Sequence, residues 1–247
     1  MQKFFVNNNQ IENEKIKIIG SDVKHIANVL RMKRGDVLQI GNKDNLETYL
    51  AEIEEIKKDE IILNKKENIE VTTESNIEIS LFQGLPKADK MEWIIQKTTE
   101  IGISNIIPVD MVRCVVKLDE KEAKKKIQRW QTIAEVAAKQ SKRDKIPEIE
   151  EKIKLKEIIN KISEYDRFLV AYEEENNNSL KEELKRIQKN DKYKIGILVG
   201  PEGGISEEEI DLLKNNGAKI ITLGKRILRT ETAPIVLTSN IIYELEN

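Results

Sequence analysis

Residues 194–210 of the chain read KIGILVGPEGGISEEEI, and this stretch combines three local signals. The apolar run Lys194–Val199 has the length and composition of a buried β-strand. The proline and glycines of Gly200–Gly204 predict a tight loop. Ser206 followed by Glu209 has the spacing of a capping box, which starts a helix. The stretch therefore predicts a strand, a loop and a helix in direct succession.

The same alternation of strand and helix extends from Ile77 to the end of the chain. The predicted strands are Ile77–Phe82, Ile103–Val109, Arg167–Ala171, Lys194–Val199 and Lys219–Leu223. The predicted helices are Lys90–Ile101 (with a capping box at Asp89 and Glu92), Asp119–Ser141, Lys154–Ile162, Ser179–Gln188, 206–216 and a last helix from Thr230 or Thr232. This alternation predicts an α/β fold with a mainly parallel sheet and helices on both faces.

The first 74 residues have a different pattern, that of short strands with one helix. Polar turns separate the strands, and apolar residues at helical spacing predict a helix at Asp22–Met32. The predicted strands are Lys3–Val6, Ile16–Ile19, Val37–Ile40, Glu47–Ile56 and Ile61–Leu63. Such a pattern predicts a small β-barrel. Because the polar stretch 71–76 follows, we predict one domain of residues 1–74 and a second of residues 75–247.

The composition excludes several classes of protein. The 247 residues are 39% hydrophobic and 35% charged, with a net charge of −2, which is typical of a globular chain with a charged surface. One cysteine, Cys114, and one histidine, His25, form neither an intramolecular disulfide nor a structural zinc site. The sequence contains no apolar run of about 18 residues, so we predict no transmembrane helix. The N-terminus is too polar for a signal peptide, so we expect a soluble, cytoplasmic protein without a metal.

Three loops of unusual composition follow strands of the predicted parallel sheet. They are residues 83–88, QGLPKA, residues 200–204, GPEGG, and residues 224–233, GKRILRTETA. Ligands bind at the carboxyl ends of strands in open α/β sheets, and glycines allow a backbone to approach a flat ligand closely. The loops match neither the dinucleotide-binding nor the P-loop glycine pattern. The glycines therefore either form tight turns only or contribute to a ligand-binding site. The sequence does not indicate NAD or ATP as that ligand.

Residues 198–205, LVGPEGGI, and 223–233, LGKRILRTETA, resemble the cofactor loops of the SPOUT class of RNA methyltransferases. Within that class, the chain most resembles the RsmE-type 16S ribosomal RNA uridine-N3 methyltransferases. Supporting segments are 87–97, KADKMEWIIQK, Arg129-Trp130 with 135–141, EVAAKQS, and 25–31, HIANVLR. The resemblance covers nearly the whole chain. Lys142 departs from it, because the family pattern leads us to expect Gly there.

The resemblance implies a PUA-like N-terminal barrel and a C-terminal α/β domain with a trefoil knot. It implies a homodimer paired through the knotted domains. It also implies S-adenosylmethionine as cofactor, held mainly by backbone groups of the two glycine-containing loops, with the loop 83–87 nearby. Carried onto this chain, the cofactor residues are Leu198, Gly200, Gly203, Gly204, Leu223, Gly224, Leu228 and Ala233.

The implied reaction, methylation of uridine N3, sets the chemical requirements of the site. N3 carries a proton, and its loss spreads negative charge onto O2 and O4, which a cation stabilises. Arg229 suits this role because its guanidinium offers a rigid fork of donors, and Glu202 or Glu231 would accept the proton. Alternatives stay open: Arg229 and Glu231 pair to hold the loop, or Glu202 interacts with a helix N-terminus or neutralises the cofactor.

The implied substrate is 16S ribosomal RNA, in the assembled small subunit or a late precursor. Because the net charge is near zero, RNA contacts must come from local basic clusters. The predicted contacts are Lys24, Arg31, Arg34, Lys87, Lys90, Arg143 and Arg226. The alternatives are a methyltransferase of the same fold with another target, or an RNA-binding factor without catalysis. A Ser–His hydrolase is disfavoured, because the single histidine lies in the predicted barrel.

Overall fold

The computed structural model describes residues 1–70, 73–187 and 192–246. The chain divides into two compact units, of which the first contains residues 1–74 with 138–146 and the second contains 75–137 with 147–247. The sequence analysis placed residues 138–146 in the second domain, whereas in the structure they belong to the first unit. Residues 71 and 72 of the predicted linker, and Gln188 at the end of a predicted helix, lie outside the described residues.

A six-stranded sheet forms most of the first unit. Its strands are β1 (Lys3–Val6), β2 (Ile11–Glu12), β3 (Lys15–Ile19), β4 (Val37–Asn42), β5 (Thr48–Ile56) and β6 (Glu60–Ile69), in the spatial order β1-β4-β5-β6-β3-β2. Neighbours are antiparallel except β1 and β4. Helix α1 (Ser21–Lys24) continues as a π-helical turn, His25–Val29, so the helical segment is shorter than predicted. Alternate apolar strand residues and Ile26 fill one core.

Buried polar contacts fix the segment 138–146 within the first unit. The ammonium of Lys3 pairs with Asp144 and donates to Thr48 Oγ1 at 3.1 Å. The backbone N–H of Thr73 donates to Asp144 Oδ2 at 2.8 Å. The side chains of Lys3 and Asp144 are only 2% and 8% exposed. Because a buried charge is costly unless it is paired and hydrogen-bonded, each partner depends on the other.

The same segment corrects one predicted RNA contact. Arg143 is 5% exposed, and its guanidinium pairs with Glu74 Oε2 at 2.5 Å. A buried, paired guanidinium cannot contact a phosphate without losing that pair, so the prediction for Arg143 is wrong. Lys142, where the family pattern predicts glycine, has a φ of 60°. This left-handed backbone is the one that glycine adopts at low cost.

The second unit contains a seven-stranded sheet in which neighbouring strands are parallel. Its strands are β7 (Ile77–Gly84), β8 (Asn105–Asp110), β9 (Glu148–Ile149), β10 (Ile153–Lys154), β11 (Arg167–Ala171), β12 (Tyr193–Val199) and β13 (Lys219–Ile221). Their order is β10-β8-β7-β12-β11-β13, and β9 also pairs with β8. The predicted α/β class with a parallel sheet is confirmed. Strands β9 and β10 were not predicted, because two residues carry no periodicity.

Helices flank this sheet. They are α2 (Lys90–Ile101), α3 (Glu120–Gln140), α4 (Leu155–Ile158), α5 (Leu180–Lys185), α6 (Glu207–Asn215) and α7 (Ala233–Leu245). Helices α2 and α7 pack against each other. Helix α4 is shorter than the predicted Lys154–Ile162, because the chain turns after Ile158 and Lys161 N donates to its carbonyl at 2.8 Å.

The two predicted capping boxes have different outcomes. The box of Ser206 and Glu209 is confirmed at the start of α6. The box predicted at Asp89 is wrong, because Asp89 precedes α2 without a side-chain cap hydrogen bond. Its expected partner, Glu92, instead pairs with Arg129 at 2.8 Å. A distant cation therefore competes successfully for a carboxylate that local spacing assigns to the helix end.

Candidate functional site

A cavity of about 380 Å³ lies at the carboxyl ends of β11, β12 and β13, within the second unit. This volume falls within the range of about 300–1,000 Å³ that is typical of small-molecule sites. The lining residues are Lys90, Ala171, Tyr172, Glu173, Asn176, Val199, Gly200, Pro201, Glu202, Gly204, Thr222, Leu223, Gly224, Lys225, Arg226, Ile227, Leu228, Arg229, Thr230 and Ala233. The predicted loops after β12 and β13 therefore form a single cavity.

Buried hydrogen bonds join the ends of two central strands to the loop after β13. Gln83, near the end of β7, donates from Nε2 to Thr230 Oγ1 at 3.1 Å, and Thr230 Oγ1 donates to the carbonyl of Gly200 at 2.7 Å. Gly84 allows β7 to approach the next loop: a Cβ there would lie 2.6 Å from Pro201 Cδ and 2.7 Å from its nitrogen. The sequence analysis placed Gln83 and Thr230 in two of the three candidate loops but did not predict their hydrogen bond, because only the fold brings these side chains together.

Six of the eight residues that the resemblance assigns to the cofactor line this cavity. They are Gly200, Gly204, Leu223, Gly224, Leu228 and Ala233. Leu198 is instead buried in β12, and Gly203 packs against Arg113, whose Cβ would lie 2.9 Å from an added Cβ. Gly224 has a φ of 113° and open space where a side chain would be. It therefore presents bare backbone to the cavity, as a loop that binds through backbone groups requires.

Lys90 joins the two carboxylates that were predicted as proton acceptors. Its Nζ lies 2.9 Å from Glu202 Oε1 and 3.3 Å from Glu231 Oε2. The backbone N–H of Lys87 also donates to both oxygens of Glu202, at 3.1 and 3.3 Å. Burial acts to raise the pKa of Glu202, but Lys90 and the backbone donors outweigh it and lower that pKa. Glu202, and then Glu231, raises the pKa of Lys90, so Lys90 and Glu202 are charged near neutral pH.

Arg229 lines the cavity with an exposed side chain. Across residues 1–70, 73–187 and 192–246, no hydrogen bond or ion pair engages its guanidinium. The alternative in which Arg229 pairs with Glu231 is therefore not observed, since Glu231 pairs with Lys90. Lys90 pairs with both carboxylates, and its contact with RNA stays a prediction.

The other predicted RNA contacts are exposed. They are Lys24, Arg31, Arg34, Lys87 and Arg226. Their contact with RNA stays a prediction. The sequence analysis also missed the wall that Tyr172, Glu173 and Asn176 form. A signal was present, because these residues directly follow a predicted strand, and ligand-binding loops lie at such strand ends.

Potential metal ligands and a single thiol, that of Cys114, occur in the described part of the chain. Within it, no group of three or more His, Cys, Asp or Glu side chains is arranged to hold a metal ion. Cys114 is buried, and burial raises the pKa of its thiol, which disfavours the reactive thiolate. Among the described helices, none combines the length and apolar character that crossing a bilayer demands.

Two family models match the chain. A model described as an RNA methyltransferase domain matches residues 73–242, and one described as an RNA methyltransferase PUA domain matches residues 18–66. The first contains the whole lining of the cavity. The second falls within the six-stranded sheet of the first unit and its helical turn.

Curated proteins and solved structures agree with these matches. The chain is 38% identical to ribosomal RNA small subunit methyltransferase E of Bacillus subtilis, over 100% of this chain and 98% of that protein. It is 34% identical to the protein of that name from Mesomycoplasma hyopneumoniae, over 99% and 100%. The crystal structure of ribosomal RNA small subunit methyltransferase E from Neisseria gonorrhoeae bound to S-adenosyl methionine is 28% identical, with a TM-score of 0.85 over 98% and 97% of the chains.

Proposed function

The chain belongs to the ribosomal RNA small subunit methyltransferase E family, and we propose that it methylates N3 of one uridine in 16S ribosomal RNA within the assembled small subunit. It is an S-adenosylmethionine-dependent RNA methyltransferase of the small-subunit ribosomal RNA. The observation that supports the finer assignment is the juxtaposition, at one cavity, of glycine-containing loops with the guanidinium of Arg229, which has no ion-pair partner among the described residues.

The cavity residues fit S-adenosylmethionine. The cofactor combines an adenosine with a methionine that carries positive charge, and it supplies the methyl group. Backbone groups of Gly200, Gly204 and Gly224 would hold its polar edges, and Leu223 and Leu228 would contact the base. Gly203 would support the site indirectly, because the absence of a side chain lets its loop pack closely against Arg113. Leu198 would support it as a buried residue of β12.

Arg229 is proposed to stabilise the charge that develops on the uracil ring. When N3 loses its proton, the negative charge moves to O2 and O4. A guanidinium offers donors in a fixed fork that matches such oxygens. Because Arg229 has no partner within the described residues, no internal ion pair has to break before it contacts a substrate.

The two carboxylates differ as proton acceptors. Glu202 accepts hydrogen bonds from Lys90 and from the backbone of Lys87, which stabilise its ionised form and make it a weak base. Glu231 has only the longer contact with Lys90, and its buried Oε2 accepts no well-aligned hydrogen bond from the described residues. We therefore assign the proton of N3 to Glu231, and the fixing of the loop after β12 to Glu202.

The assignment predicts unequal effects of two matched substitutions. Glu231→Gln should lower kcat by about 100-fold or more, because a general base contributes about 10²–10⁴-fold. Glu202→Gln should lower kcat by less than about fivefold, since its amide still accepts the N–H of Lys87. Single-turnover methyl transfer at saturating cofactor measures both. Equal losses for the two variants would contradict the assignment.

Gly84→Ala should weaken cofactor binding at least about tenfold. The new Cβ collides with the backbone of Pro201, which lines the cavity, so the loop after β12 must move. Gly196→Ala is the matched control, because its Cβ would lie 2.4 Å from the Phe168 ring but away from the cavity. Calorimetric titration should show near-normal affinity for the control despite its lower Tm. Equal affinities for both variants would oppose the proposed site.

The proposal includes the RNA surface, the knot and the homodimer. Lys24, Arg31, Arg34, Lys87 and Arg226 would contact phosphates. The contacts of Thr230 with Gln83 and Gly200 are compatible with a knotted path, since they hold the loop before α7 against the ends of β7 and β12. Exposed aromatic residues on the packed helices α2 and α7, Trp93 (51%) and Tyr243 (74%), support a dimer surface. Sedimentation of Tyr243→Glu should show a monomer.

Product analysis tests the proposed substrate. Small subunits from cells that lack this protein would be incubated with labelled S-adenosylmethionine, and their nucleosides separated. A single 3-methyluridine is the expected product. Another methylated nucleoside would keep the cofactor and overturn the target. No transfer to subunits, naked ribosomal RNA or transfer RNA, together with no cofactor binding, would favour an RNA-binding factor without catalysis.

A further inference from the structure

Among the described residues, four cationic side chains line the cavity: Lys90, Lys225, Arg226 and Arg229. Lys90 contacts two carboxylates, whereas Arg229 contacts neither of them. The two carboxylates belong to different loops, since Glu202 follows β12 and Glu231 precedes α7. One ammonium thus pairs with a carboxylate from each of the two loops.

Lys90 occupies an unfavourable place for a cation. It is the first residue of α2, where the positive end of the helix dipole repels an ammonium. Its two carboxylate contacts compensate for this position. Glu231 lies two residues after Arg229 in the sequence. Without Lys90, its carboxylate would lack its ion-pair partner. A guanidinium is the preferred partner of such a carboxylate, because it binds both oxygens at once.

We infer that Lys90 is a positioning residue, which binds Glu202 and Glu231 and thereby keeps the guanidinium of Arg229 free for the substrate. The lowered pKa of Glu202 and the raised pKa of Lys90 agree with a charged cluster. This inference rests on the proposed role of Arg229. It goes further, because it assigns Lys90 a role that acts through the two carboxylates and Arg229 rather than through contact with the uracil ring.

A double-mutant cycle tests the inference, with kcat for methyl transfer to small subunits as its readout. Lys90→Met should lower kcat at least about tenfold while the cofactor Kd and the RNA KM change less than about threefold. In the Arg229→Ala background, the same substitution should change kcat less than about twofold, because residues that act as a unit are not additive. Lys90→Arg should restore most of the activity.

Lys97→Met is the matched control. Lys97 lies on the same helix, is similarly exposed and pairs with Glu100 at 2.8 Å, but it does not line the cavity. It should leave kcat unchanged. Multiplicative losses from Lys90→Met and Arg229→Ala would overturn the inference alone, whereas normal activity of Arg229→Ala would overturn the proposed role of Arg229. If Lys90→Met fails to fold, Lys90→Gln takes its place in the cycle with the same expectations.

Discussion

Arg229→Ala should lower kcat for methyl transfer by about 100- to 1,000-fold, the usual loss when one donor to a developing oxyanion is removed. The affinity for S-adenosylmethionine should change less than about threefold, because the guanidinium is expected to face the RNA base. Arg229 is exposed and unpaired within the described ranges, so its removal leaves no buried charge behind. Stability should therefore stay near that of the wild-type chain.

Two variants sharpen this prediction. Arg229→Lys keeps the charge but loses the fork of donors, so it should recover only part of the rate. Arg226→Ala removes a neighbouring exposed cation from the same loop. It should raise the KM for RNA with little change in kcat, because a phosphate contact contributes to binding and not to the transition state. The role is refuted if Arg229→Ala changes only KM.

Asp144→Asn should destabilise the first unit by about 3–5 kcal/mol, the typical cost of removing one partner from a buried ion pair. The substitution leaves the ammonium of Lys3 buried without a counter-charge. It also weakens the acceptor for the Thr48 hydroxyl, which donates to Asp144 Oδ1 at 2.7 Å. Both tryptophans, Trp93 and Trp130, belong to the second unit, so their fluorescence does not report on this loss. Hydrogen exchange of peptides from residues 1–70 measures it directly.

The pH dependence of this effect has a definite sign. Burial acts to raise the pKa of Asp144, but Lys3, Thr48 and the backbone of Thr73 outweigh it and lower the pKa from 3.8 to about 2. The ionised carboxylate therefore contributes about 2 kcal/mol to the free energy of unfolding above pH 4. This contribution disappears as the pH falls toward 2. The stability difference between wild type and Asp144→Asn should shrink over that interval.

A surface ion pair of the same unit provides the control. Lys15 and Glu54 pair with side chains that are 45% and 38% exposed. Glu54→Gln should cost less than about 1 kcal/mol, since exposed pairs contribute little. The double variant Lys3→Met with Asp144→Asn should recover much of the stability, because it removes the isolated charge. A mild effect of Asp144→Asn alone would mean that the pair is unimportant.

The sequence predicted elements best where one periodicity extends over the whole element. Lys3–Val6, Lys90–Ile101 and Arg167–Ala171 have the predicted ends. The failures come from contacts between distant residues. Glu92 has the spacing of a capping box, but its carboxylate pairs with Arg129. Arg143 looks like surface charge in the sequence, yet its pairing with Glu74 buries it.

The candidate site shows the same division. Glycines at strand ends and the family resemblance indicated both loops of the cavity, because such positions are local in sequence. The pairing of Lys90 was not predictable, since its partners Glu202 and Glu231 lie more than 100 residues further along the chain. The same holds for Gln83, whose partner Thr230 is 147 residues away.

The return of residues 138–146 to the first unit affects the order in which the chain folds during translation. Lys3 precedes Asp144 by 141 residues, and Asp144 follows Glu74, at the end of the first part of this unit, by 70 residues. At about 5–20 residues per second, this separation corresponds to roughly 4–14 s of synthesis. Throughout that time the N-terminal sheet lacks the counter-charge of its buried lysine. The first unit therefore reaches its final structure only after α3 has been synthesised, rather than as an independent N-terminal module.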